Sequence, residues 1–197
     1  MKNYLFTIIA VGSISVTILS CSNSNQKSDE NDTVAEAVTK EDIVKRGEYL
    51  VTIMGCNDCH SPKKMGPNGP EIIPELMLSG YPSDRPIVKF EDPRIKEGFG
   101  MFYPDLTAAA GPWGVSFAGN LTPDQSGIGT WTEEQFKTAM TKGKFKGLEG
   151  SRTLLPPMPW FNFTELKDED VKAIFAYLKS IKPVRNVVPQ PIPPDQM

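Results

Sequence analysis

Cys56-Asn57-Asp58-Cys59-His60 sets two thiols three residues apart and follows the second at once with an imidazole. On one helical turn, positions i, i+3 and i+4 share a face, so both sulfurs and the ring address the same object. Cys-x-x-Cys-His is the attachment motif of a c-type haem. Cys56 and Cys59 then reach the porphyrin vinyl groups while His60 Nε2 approaches the iron from the same side. Cys-x-x-Cys also occurs in redox-active thiol pairs and in half-zinc sites, and those two readings stand beside haem attachment. His60 is the only histidine in the chain, so the site uses it or uses none.

With no second histidine, the other axial position of an iron falls to Met, Lys, a terminal amine, water or nothing. There are eight methionines. Met54 and Met140 fall on the apolar faces of predicted helices, where packing accounts for them. Met65, Met77 and Met101 lie in an irregular stretch and compete for the role. Met158 sits in Leu154-Leu155-Pro156-Pro157-Met158-Pro159-Trp160, where prolines forbid a helix and hold the chain extended. That stiff loop presents one thioether, a soft ligand that raises the potential of haem iron. Met158 is the expected distal ligand; the other three methionines and an open site are the alternatives. Two further polar groups are candidates for the haem propionates. Trp131 could donate its indole N–H, or be plain core; Arg152 could neutralise a propionate, or be solvated.

Few elements are needed to position these groups. Ile43, Gly47, Leu50, Val51 and Met54 follow helical spacing and lead straight into the haem motif. Gly47 costs that helix about 1 kcal/mol relative to Ala, and a missing side chain there lets another helix cross closely. Thr132 and Gln135 form a capping box for a short helix with Phe136, Ala139 and Met140 inward and Gly143 at its end. A last helix runs from about Asp168 to Ser180, with Val171, Ile174, Phe175, Leu178 and Ile181 as its stripe. Asp168, Glu169 and Asp170 complement its dipole and Lys182-Pro183 stops it. Residues 61–118 are broken by prolines and glycines, which predicts nothing longer than two turns apart from a short helix around Glu71–Leu78. Interspersed Leu, Met, Phe, Tyr and Trp residues mark the stretch as an ordered insertion around the haem or its edge. Gly127 and Gly129 are no dinucleotide loop, since position 132 is Thr and no strand precedes them; Asp124 and Ser126 fall short of a calcium loop.

Among 197 residues, 39% are hydrophobic and 23% charged, the balance of a soluble globular protein. Net charge is −3 with no basic run, which gives no footing for nucleic acid binding. Two propionates would make the holoprotein more acidic and favour a basic docking partner.

Met1–Ser20 reads as an export signal, with Lys2 ahead of the apolar run Leu5–Leu19, too short to span a bilayer comfortably. Ile18-Leu19-Ser20-Cys21 resembles the lipobox of bacterial lipoproteins, with Leu19 bulkier than usual there. Of three cysteines, haem attachment leaves Cys21 without a partner, and lipidation gives it a use. Residues 21–40 are polar enough to form a flexible tether, residues 41–186 the folded domain, and 187–197 a proline-rich tail, extended and either draped or loose. The chain is expected outside the cytoplasm on the periplasmic or cell-envelope side, anchored to a membrane through Cys21.

The haem motif, Asn120-Leu121-Thr122-Pro123-Asp124, Gly127-Ile128-Gly129-Thr130-Trp131, Pro157-Met158-Pro159-Trp160 and the acidic start of the last helix together resemble the monohaem, class I-like cytochrome c family. The resemblance covers about residues 41–186 and is nearest to the cytochrome c domains that accompany bacterial membrane-bound dehydrogenases. It implies a mainly α fold, with few helices around one covalently bound haem c and a long Pro/Gly-rich insertion. It also implies that Gly47 crosses the last helix at Phe175 or Tyr177, that Met158 is the distal ligand, and that Trp131 contacts a propionate. Lys167 stands where a Ser or Thr cap is common. One haem motif occurs here where many dehydrogenase subunits carry three. The function implied is one-electron transfer between redox protein partners, a dehydrogenase or an oxidase, with no catalytic residue and no small-molecule substrate. A haem enzyme or gas-binding sensor with an open distal site is the alternative, and it lacks a distal histidine.

Overall fold

The computed structural model describes residues 37–87 and 89–197. The expected export signal, Cys21 and tether residues 21–36 lie outside the described residues. Four α-helices are present among them: α1 (Lys40–Ile53), α2 (Cys56–His60), α3 (Glu133–Lys142) and α4 (Asp168–Ser180).

Each long helix begins where local chemistry starts it. Thr39 Oγ1 accepts the Asp42 N–H at 3.1 Å and Asp42 Oδ2 accepts the Thr39 N–H at 3.0 Å, a closed capping box for α1. Thr132 and Gln135 make the same box for α3, which ends on Gly143 at φ 62°. Helix α4 has no side-chain cap at Lys167 and begins on its three acidic residues instead. The main core joins Leu50 and Val51 of α1 to Phe136 and Met140 of α3 and to Val171, Ala173, Ile174 and Leu178 of α4.

Helices α1 and α4 meet backbone to backbone. A Cβ on Gly47 would stand 1.9 Å from the Ala173 carbonyl oxygen and 2.7 Å from Tyr177 Cβ. Of the two aromatics expected at this crossing, Tyr177 occupies it. Phe175 turns to α3, its ring 5.3 Å from that of Phe136. Arg46 Nε donates to Asp170 at 2.6 Å across the rim of the crossing, an exposed pair worth about 1 kcal/mol at most.

The stretch 61–118 is more regular than its composition predicts and adds short strands to the helical domain. It holds all five strands of the described residues: a hairpin of β1 (Lys63–Gly66) and β2 (Gly69–Ile72), and a sheet of β3 (Met101–Phe102), β4 (Ala108–Gly111) and β5 (Gly114–Phe117). Strands of two to four residues are too short for an alternating pattern to be read from sequence. The helix expected over Glu71–Leu78 is absent: Glu71 and Ile72 end β2, and only Pro74–Leu76 makes a single 3-10 turn. Ile95, Ala110 and Val115 form a small second core with Met101, Phe117 and Ile192 around them. Ile192 also exchanges backbone hydrogen bonds with Val115 at 2.8 and 3.0 Å, so the C-terminal tail is draped along β5.

Replacing Gly47 with Ala adds about 1 kcal/mol of helix propensity but drives a methyl into a backbone oxygen. Overpacking of that kind costs about 1–3 kcal/mol or more. Gly47→Ala is therefore expected to lower the urea-unfolding free energy of the haem-loaded protein; equal or greater stability would show that α1 and α4 have room to part.

Candidate haem-attachment site

Gly55, at φ 68°, turns the chain from the end of α1 into α2 within two residues. Cys56, Cys59 and His60 are all half-buried on that short helix, and Cys56 packs against the main core. Burial pushes the Cys56 thiol up to about 11, and burial with the nearby Asp58 carboxylate raises Cys59 as well. At neutral pH the Cys56 thiol therefore stays protonated. A redox-active thiol pair needs the opposite shift. Among the described residues, no three His, Cys, Asp or Glu side chains are grouped so as to hold a bare metal ion. Neither observation favours the thiol-pair or half-zinc readings.

His60 is held at two points, one on its ring and one on its backbone carbonyl. Its Nδ1 lies 2.7 Å from the Gly119 carbonyl oxygen. A carbonyl only accepts, so Nδ1 carries the proton and Nε2 keeps its lone pair. Burial lowers the imidazole's affinity for a second proton, the Gly119 hydrogen bond opposes this, and the net shift is downward. The His60 carbonyl accepts the Gly80 N–H at 2.8 Å. Gly80 has φ 78°, and a Cβ there would fall 2.4 Å from the Ala118 oxygen. The close approach lets Tyr81 N–H reach Ala118 O at 3.0 Å and Leu121 N–H reach Leu78 O at 2.9 Å, binding 78–81 to 118–121. Leu78 itself is fully buried at φ 59°, a conformation costing about 1–3 kcal/mol. Its N–H donates to Ser61 Oγ at 2.8 Å, and that hydroxyl donates to Asn57 Oδ1 at 2.7 Å, so the strained residue is tied directly to α2.

Lys63 closes the other end of α2. Its ammonium lies 2.6–3.3 Å from the carbonyl oxygens of Asn57, Asp58, Ser61 and Asp105, sharing three N–H donors among them and tying the end of α2 to Asp105. The Asp105 carboxylate takes the Arg85 guanidinium at 2.8 Å and the Thr107 hydroxyl at 2.6 Å. Arg85 in turn stacks over Tyr81 and Tyr103, at 5.1 and 4.8 Å from their ring centres.

The structure sorts the methionines. Met65 is 74% exposed on β1. Met101 belongs to the small second core, and Met54 and Met140 to the main one. Met77 and Met158 are both half-buried against the main core, in the same cluster as Cys56, Leu121 and Trp131. Met77 precedes the segment that bonds Ser61 and His60. Met158 is carried by a separate loop, a tight turn in which its N–H donates to Leu155 O at 3.3 Å. On one side of that loop the Leu154 N–H reaches Gly143 O at 2.7 Å, and the Trp160 ring covers Gly143 where a Cβ would be 2.2 Å away. On another side, Ser116 Oγ donates to Pro156 O at 2.5 Å.

Arg152 is exposed, with its guanidinium 4.0 Å over the Phe145 ring and donating to Thr153 O at 3.0 Å. Tyr49 is 59% exposed on α1. Sequence reasoning passed over Gly119, Ser61, Lys63 and Ser116. Asn120 had a readable signal: its Oδ1 accepts from Thr122 N–H and Oγ1 at 2.9 and 2.8 Å, the Asx turn that Asn-x-Thr favours.

Two neutral thiols, one imidazole with a free Nε2 and a half-buried apolar lining that includes a thioether fit a covalently attached haem.

The cytochrome c family model matches residues 44–182. The chain is 30% identical to the cytochrome c subunit of alcohol dehydrogenase (quinone) of Gluconobacter oxydans (strain 621H), over 73% of this chain and 23% of that protein. It is 29% identical to the gluconate 2-dehydrogenase cytochrome c subunit of Pantoea cypripedii, over 77% of this chain and 26% of the relative. With the fructose dehydrogenase cytochrome subunit of Gluconobacter japonicus it shares 29% identity over 72% of this chain and 22% of the relative. The chain thus spans about a quarter of the length of these relatives.

Burial raises the Asp105 carboxyl, but hydrogen bonds from Arg85 and Thr107 outweigh it and leave the folded-state pKa below the usual value. The stabilisation is therefore full above the unfolded value, about 3.9, and is lost as pH falls through the lower folded value. Asp105→Asn is expected to cost about 1–3 kcal/mol at pH 7, and the gap from wild type should shrink in melts taken at pH 3. A gap that stays constant with pH would show that the carboxylate charge is not what holds Arg85.

Proposed function

This chain belongs to the cytochrome c family, and from that we propose that it is a single-haem, one-electron carrier serving a dehydrogenase or other redox partner outside the cytoplasm. The observation that carries this reading is the 2.7 Å contact of His60 Nδ1 with the Gly119 carbonyl, which leaves Nε2 free on the same turn as both thiols. Cys56 and Cys59 would hold the haem as thioethers, each S–H adding across one vinyl group with no oxidant needed. His60 Nε2 serves as the proximal ligand and Met158 as the distal one. Haem c, when bound, supplies the Fe(III)/Fe(II) couple; the protein's part is to hold ligands and exclude water. Met158 is favoured over Met77 because its loop is anchored apart from the segment that grips His60. Trp131 packs in the same cluster as Cys56 and Met158, which supports a contact with the haem margin. The single Cys-x-x-Cys-His motif supports one haem, and the names of the relatives support a dehydrogenase as partner. Export and a lipid anchor at Cys21 rest on the lipobox-like sequence.

The test is a visible and near-infrared spectrum of protein matured with haem. Wild type should show the weak ferric near-infrared band of methionine ligation. Met158→Ala should abolish it and lower the reduction potential by on the order of 100 mV or more, while Met77→Leu should leave both unchanged. A band lost with Met77 instead would transfer the ligand. A high-spin spectrum that shifts with carbon monoxide in the wild type would replace the carrier with the open-site enzyme or sensor.

A further inference from the structure

Ser116 is a buried hydroxyl with a defined proton. Trp113 Nε1, which only donates, lies 3.2 Å from Ser116 Oγ, so the oxygen accepts there and must direct its own hydrogen elsewhere. Of its two acceptors, Pro156 O at 2.5 Å outcompetes Ala109 O at 3.4 Å. The relay runs Trp113 Nε1–H to Ser116 Oγ–H to Pro156 O, each bond polarising the next. It is built into the β4–β5 hairpin. Gly111 pairs with Gly114 around Pro112-Trp113, and the indole folds back across Gly111, where a Cβ would meet the ring at 2.2 Å. Val115 beside it is pinned by Ile192. A rigid hairpin therefore grips the middle of the Leu155–Met158 turn, two residues from the thioether.

We infer that Ser116, oriented by Trp113, is a positioning residue for Met158: it holds the loop so that the sulfur stays on the iron against water, hydroxide and added ligands. This rests on the reading of Met158 as distal ligand. Pro156 is itself exposed, so water can replace the hydroxyl as donor to its carbonyl. What the water cannot replace is the link to the hairpin. Removing the hydroxyl should thus loosen the ligand more than it destabilises the fold.

The experiment uses the haem-loaded protein as wild type, Ser116→Ala, Ser116→Thr and Met158→Ala. The ferric near-infrared band is followed against pH, and imidazole is titrated into the ferric form at neutral pH. One hydrogen bond is worth about tenfold in an opening equilibrium. Ser116→Ala is expected to lose the band about one pH unit lower than wild type and to bind imidazole about tenfold more tightly. Ser116→Thr, which keeps the hydroxyl, should return both values to within about threefold of wild type. Trp113→Phe, which frees the hydroxyl to rotate toward Ala109, should move both in the same direction by less, and it decides the matter should Ser116→Ala not fold. Ser116→Ala or Trp113→Phe titrating like wild type, or Ser116→Thr behaving like Ser116→Ala, overturns the role of Ser116 while Met158→Ala still abolishes the band. A band that survives Met158→Ala removes the ligand reading itself, which is a separate failure.

Discussion

The hydrogen bond from His60 Nδ1–H to the Gly119 carbonyl is the contact on which the rest of the molecule converges. It fixes the tautomer, and its acceptor is a backbone oxygen whose position depends on everything around it. Gly119 is held because its neighbours Ala118 and Leu121 bond to Tyr81 and Leu78. Those in turn are fastened by Asn186, whose Nδ2 donates to Ser79 O and Tyr81 O at 2.6 and 2.9 Å. Asn120 completes the ring by donating to Val184 O at 2.9 Å. Two buried amides thus lock the segment after α4 onto the loops that aim the imidazole. Buried amides left unpaired are costly, so this network permits one arrangement and penalises its neighbours.

The same economy explains why so short a helix as α2 survives. Five residues cannot be a stable helix alone. Here one end is set by a left-handed glycine and the other by the Lys63 ammonium, which takes the place of the missing next turn. Lys63 also places a positive charge near His60, one of the causes that disfavour a second proton on the ring. Helix capping and imidazole protonation are both influenced by one side chain.

How much of this was legible follows from the range of each interaction. The haem motif, α1, α3 with its capping box, and the stripe of α4 depend on neighbours within one or two turns, and all were readable. Gly47 was readable as a crossing point, but not the choice of Tyr177 over Phe175, which the rotation of α4 against both α1 and α3 decides. The insertion was opaque because its strands are two to four residues long and its order comes from remote partners: Ser61 to Leu78, Lys63 to Asp105, Val115 to Ile192. Gly119 carries no side chain, so no residue type could have announced its carbonyl as the acceptor for His60.

These remote ties also change what the insertion is. Read from composition it surrounds a site that the helices build; the hydrogen bonds reverse that order. Strand β5 grips the Met158 loop through Ser116, and two residues beyond its end Gly119 grips His60. A single stretch, 114–119, therefore sets the position of both candidate axial side chains relative to one another. A carrier that changes charge without changing shape needs its two ligands fixed in one frame, so that neither drifts when the iron's preference changes. In this chain the frame is the β4–β5 hairpin with the C-terminal tail bound along it. The helices supply the apolar wall behind it, Gly80 and Gly114 let backbone approach backbone closely, and Gly111 makes room for the Trp113 indole.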